Sequence, residues 1–76
     1  MLRLMNLKQL RERAGLQTQE EAAQRVGIHQ TTISGLENGE HASPRLDTLQ
    51  KLATAYGVTL DDVVAAVRET VAEAAA

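Results

Sequence analysis

The residues best placed to do chemistry lie in one short stretch, "HQTTISGLENG" at 29–39. Wound as a helix of 3.6 residues per turn, it turns Ile33 and Leu36 to one side and Thr31, Ser34, Gly35 and Asn38 to the other. Gln30 and Thr32 fall on the flanks. Gln, Thr and Ser carry donors and acceptors that suit base edges and phosphate oxygens, and a threonine methyl can meet a thymine methyl. A plain solvated helix face would use the same residues, so the pattern by itself fits both. Gly35 needs a separate reason, because glycine inside a helix costs about 1 kcal/mol relative to alanine. On the outward side no core demand explains it. Either a nucleic acid comes close to the backbone there, or the position faces a gap.

Other chemistries find less support. The carboxylate pairs Glu20/Glu21 and Asp61/Asp62 fall in first turns of helical segments, where capping and the helix dipole account for them. His29 and His41 have no third ligand arranged with them, so no metal is expected, and no cofactor is implied. There is no cysteine, hence no disulfide framework and no thiolate zinc site, in keeping with a reducing, cytoplasmic setting. No nucleophile with a partnered base can be named, so the chain is not expected to be an enzyme.

These residues must be held by a small scaffold. Seventy-six residues make one domain, 1–76, with a core adequate for a helical bundle. Four glycines, Gly15, Gly27, Gly39 and Gly57, each close an apolar segment of helical spacing, as helix stops do. Thr18 with Glu21 forms a capping box, Thr59 with Asp62 its near relative, and Ser43-Pro44 reads as a cap followed by proline at the first helical position. No segment alternates with period two. The spacing predicts five helices near 5–14, 18–26, 29–38, 44–56 and 60–74, an all-α, compact bundle. Apolar stripes assign the core to Leu7, Leu10 and Ala14; Ala22, Ala23 and Val26; Ile33 and Leu36; Leu46, Leu49, Leu52, Ala53 and Tyr56; and Leu60, Val63, Val64 and Val67. Ile28 and Val58, each just after a closing glycine, plug it from the turns. The second and third helices, joined by the turn "GIH" and rich in alanine, have the form of a helix-turn-helix.

Charge is unevenly spread. The net charge is −2, but residues 1–56 carry seven Lys/Arg against six Asp/Glu, and residues 57–76 one against four. A basic face thus remains open to the first part. No apolar run approaches the ~20 residues that span a membrane, and "MLRLMNLKQL" is too interrupted for a signal-peptide core.

"TQEEAAQRVGIHQTTISGLENG" followed by "SPRLDTLQKLATAYGVTLDDVV" resembles the lambda-repressor-like (XRE-type) helix-turn-helix family over about residues 5–66. The string Gln19-Glu20-Glu21, Ala23, Gly27, Ile33-Ser34, Leu36-Glu37-Asn38-Gly39, Pro44, Leu49, Ala53 and Gly57 carries the likeness. The resemblance implies a five-helix bundle whose third helix enters the major groove, working as a dimer on a two-fold operator. It implies base contacts from Gln30, Thr31, Ser34 and Gly35. Phosphate contacts would fall to Gln19, which would also brace the recognition helix, to Thr32, and to Asn38 with the backbone amides after Gly39. With no Arg or Lys on that helix, the cationic contacts are expected at the peripheral Lys8, Arg13 and Arg45. Arg11 and Glu37 match a buried structural ion pair.

The chain also departs from the family. Ala22 stands where relatives usually have leucine, and "GLQTQEE" and "GEHASPR" each hold one extra residue. The recognition helix lacks Arg and Lys, and Glu40 follows the closing glycine, which lowers the expected nonspecific affinity. The expectation is a DNA-binding transcriptional regulator, a repressor, acting as a homodimer on double-stranded operator DNA. Val63, Val67 and Val71 are expected to form the dimer contact, on a C-terminal extension reaching through 67–76. The apolar N-terminal patch Met1, Leu2, Leu4 and Met5 is the competing candidate. Two other classes fit the same residues: an antitoxin that binds DNA and a toxin protein, with "RETVAEAAA" as its extra segment, and a protein-interaction module that has lost DNA.

Overall fold

The structure, a computed structural model, describes residues 5–41 and 43–76. Met1, Leu2 and Leu4 of the N-terminal patch lie outside the described residues. Five helices follow in order: α1 Leu7–Arg13, α2 Gln19–Val26, α3 Gln30–Glu37, α4 Leu46–Tyr56 and α5 Leu60–Ala75. The described residues contain no strand.

Local chemistry fixes the helix starts. Thr18 Oγ1 accepts from the Glu21 amide at 3.1 Å and Glu21 Oε1 accepts from the Thr18 amide at 3.0 Å. Thr59 and Asp62 repeat the exchange at 3.1 and 3.2 Å. A third box joins Asn6 and Gln9 at 2.8 and 2.9 Å and sets the start of α1 at Leu7 rather than at residue 5. The α4 boundary differs more. Arg45 is the N-cap, with extended backbone at ψ 150° and no side-chain cap bond, so Ser43 and Pro44 belong to the connection and not to the helix. Leu46, assigned to the core by its spacing, stands at the first position of α4 and is 59% exposed.

The buried core gathers residues from all five helices, among them Leu7, Leu10, Ile33, Leu52 and Val63, each no more than 2% exposed. Leu16, in the loop after Gly15, is also buried, although the apolar stripes missed it. It occupies the same place after a closing glycine as Ile28 and Val58, and that repetition was the available signal.

The path of α5 overturns the expected dimer stripe. Val63 and Val67 are 0% and 5% exposed and lie within the chain's own core, and the half-buried Val71 packs against that core. The last turns of α5 run along the start of α1 instead of standing clear. Thr70 Oγ1 accepts from the Leu7 amide at 2.9 Å and donates to the Ala66 carbonyl at 2.8 Å. Asn6 Nδ2 donates to Glu73 Oε1 at 2.8 Å. Further along, α5 meets the turn after α3: a Cβ placed on Gly39 would stand 2.7 Å from the Ala74 Cβ and 3.2 Å from the Thr70 carbonyl oxygen. The stripe is largely covered from within, which leaves Val63 and Val67 little apolar surface to offer a second copy.

Candidate nucleic-acid interface

The unit is built from α2 and α3. Ala22 and Ala23 on α2 and Ile33 and Leu36 on α3 are all buried, and small residues let the two helices cross closely. The turn between them opens with Gly27 at φ +86°, a backbone that glycine adopts without the steric cost of a side chain.

Behind α3 lies a brace of charged and polar groups. Arg11 Nε donates to Glu37 Oε2 at 2.7 Å and Nη2 to Glu37 Oε1 at 3.3 Å, a two-pronged pair whose side chains are both 5% exposed. Arg11 Nη1 donates to the Leu16 carbonyl at 2.9 Å, and Gln19 Nε2 to Glu37 Oε1 at 3.1 Å. The Arg11–Glu37 pair therefore ties together α1, the loop after it, the first residue of α2 and the last residue of α3. The hydrogen bond to Glu37 raises the pKa of Arg11 above its ordinary value, outweighing desolvation. Tyr56, 4% exposed beside this pair, has its phenol pushed up to about 12, first by burial and second by the charge of Glu37. Gln19, expected both to reach a phosphate and to brace the recognition helix, gives its amide nitrogen to the last residue of α3.

In front, the outward face of α3 is polar and uncharged. Gln30, Thr31 and Asn38 are exposed, and Thr32 and Ser34 half-buried. Asn38 caps the helix and its Nδ2 stands 3.5 Å from Ser34 Oγ. The amides of Gly39 and Glu40 donate to the carbonyls of Leu36 and Gly35 at 3.2 and 3.0 Å, so the first of the amides after Gly39, expected in a phosphate clamp, is engaged within the chain. Arg45 is brought beside α3, lining a cleft with Thr32, Leu36, His41, Ser43, Pro44 and Thr48. Lys8 and Arg13 are exposed on α1, and among the described residues Arg11–Glu37 is the single ion pair.

Gly35 corrects the sequence reading. It faces outward on the wheel but is buried, because the chain turns back over it. A Cβ there would lie 2.7 Å from His41 Nε2 and 3.0 Å from His41 Cδ2. With the His41 ring resting on it, Gly35 itself is not open to a base.

The comparisons with known proteins add to this geometry. The family described as helix-turn-helix matches residues 7–63. The chain belongs to that family. It is of the lambda-repressor-like (XRE) kind, so the helix-turn-helix of α2 and α3 is a DNA-binding unit of a regulatory domain. No curated protein and no solved structure matches the chain. Residues 64–76, which include the α5 contacts to Leu7, Asn6 and Gly39, fall outside the helix-turn-helix match. No helix among the described residues is long and apolar enough to cross a membrane.

Proposed function

We propose that the chain is a sequence-specific transcriptional repressor of the cytoplasm that places α3 in the major groove of an operator. The observation that carries this reading is the contrast across α3. Its inner face is fixed by a buried ion pair, while its outer face presents Gln30, Thr31 and Ser34, side chains that donate to and accept from base edges. Those three read bases. Thr32, Asn38 and Arg45 border the same face and reach phosphates, with Lys8 and Arg13 contributing at the periphery.

Operators of such proteins are read by two-fold dimers with half-sites about one DNA turn apart, and a homodimer is part of the proposal. With the α5 stripe largely buried, its contact forms around Leu46, the exposed large apolar side chain among the described residues. Leu46 opens α4, and Pro44 and Leu49, on either side of it in the sequence, line a groove with Val64 and Val67. The segment "RETVAEAAA", the cue for an antitoxin, is engaged through Thr70 and Glu73 with the start of α1, so the antitoxin reading gains nothing from it.

Selection of bound sites from a random DNA pool, followed by a salt titration on the selected site, tests the reading. The expected result is one two-fold sequence whose binding weakens steeply with salt, as phosphate contacts require. A pool that stays random after selection would reject it.

A further inference from the structure

Gly35 sits on the outward side of α3 among Thr31, Ser34 and Asn38, yet it is buried, and the groups over its Cα belong to the following turn. A Cβ at this position would stand 2.7 Å from His41 Nε2, 3.0 Å from His41 Cδ2 and 3.4 Å from Glu40 Oε1. The turn that brings His41 there is closed by Gly39 at φ +77°, with the Glu40 amide donating back to the Gly35 carbonyl at 3.0 Å. One edge of the imidazole thus lies against the helix where a side chain at residue 35 would otherwise stand. The opposite vertex of the ring is Nδ1, and the residue is exposed.

A neutral imidazole has one donor and one acceptor. The major groove offers acceptors on guanine and a donor–acceptor pair on adenine. The other side chain over Gly35, Glu40, carries the sign that phosphates repel. We infer that His41 is a specificity-determining residue: it occupies the place on the DNA-facing surface of α3 that Gly35 leaves empty and reads a base edge there. This rests on the operator reading above. It also gives the helical glycine a purpose, since any larger residue would displace the ring.

The experiment compares the intact chain with His41→Ala and Gly35→Ala on sites selected from random DNA. The wild-type site should contain one base pair whose replacement weakens binding on the order of tenfold to a hundredfold. In His41→Ala that position should lose its preference while the positions read by Gln30, Thr31 and Ser34 keep theirs. Gly35→Ala should relax the same position with His41 still present, and alanine suits a helix better than glycine, so the protein stays folded. In the free protein, a nuclear Overhauser contact between the His41 ring and the Gly35 α-protons should be present in wild type, and the ring's contact with residue 35 should weaken in Gly35→Ala. A His41→Ala protein with wild-type preferences at every position overturns the assignment and leaves the operator reading standing. So does one that loses affinity equally for all sequences, as a phosphate contact would. A wild-type chain that selects no sequence overturns both.

Discussion

The two ends of α3 are built in opposite ways. At its C-terminal end Glu37 is held by Arg11 and Gln19, the Gly39 and Glu40 amides by the last carbonyls, and Gly39 packs closely on α5. At its N-terminal end His29 offers no side-chain cap, and Gln30 and Thr31 project into solvent. Helix ends normally satisfy their free amides by side chains, water or a ligand. The fold thus holds α3 from its C-terminal end and leaves its N-terminal end free. Changes to the groups that anchor the held end, Glu37 and Gly39, should cost stability, and changes at the exposed Gln30 and Thr31 should cost binding alone.

The largest effect is expected at the brace. Glu37→Ala leaves a buried guanidinium without its carboxylate partner and should destabilise the fold by about 3–5 kcal/mol, read from urea unfolding. An unchanged unfolding midpoint would mean that the held end does not depend on the pair.

Tyr56 reports on the same region through alkaline pH. Its folded-state value, about 12, lies above the ordinary phenol value near 10. The neutral phenol therefore contributes its stability in full below about pH 10, and that contribution is lost as pH rises through about 12. The amount is about 2–3 kcal/mol. As the chain has one tyrosine, phenolate absorbance follows it directly, and a midpoint near 10 in the folded protein would contradict the buried setting.

Two smaller changes sharpen the role of α5. Gly39→Ala forces a side chain onto a backbone at φ +77° and should cost about 2 kcal/mol. Part of the loss should return in Gly39→Ala/Ala74→Gly, because the added Cβ would stand 2.7 Å from that of Ala74. Thr70→Val removes the acceptor of the Leu7 amide and should cost about 1.5 kcal/mol. Thermal unfolding of both reads the outcome, and no loss in either would show that α5 does not support the held end.

Much of this was legible in the sequence, for local reasons. Capping boxes at Thr18 and Thr59 and the closing glycines act within a few residues, so the five helices and their order could be read. The Arg11–Glu37 pair spans 26 positions and came from the family resemblance rather than from spacing. The α5 stripe shows what a helical wheel leaves open. It places Val63, Val67 and Val71 on one face, but what covers that face depends on contacts such as Leu7 with Thr70, 63 positions apart. Gly35 was misread for a related reason, because the path of the chain through Gly39 decides that His41 lands on it. Leu46 fits the helical stripe, but α4 begins at that residue and leaves it outside.

The most direct test is at the free end, with Gln30→Ala and Thr31→Ala measured in parallel for stability and for binding to the selected site and to random DNA. Stability should change by no more than about 0.5 kcal/mol. Binding to the selected site should weaken by about 1–3 kcal/mol for each substitution, with random DNA unaffected. Equal losses on both DNAs would contradict the claim that this end of α3 reads sequence.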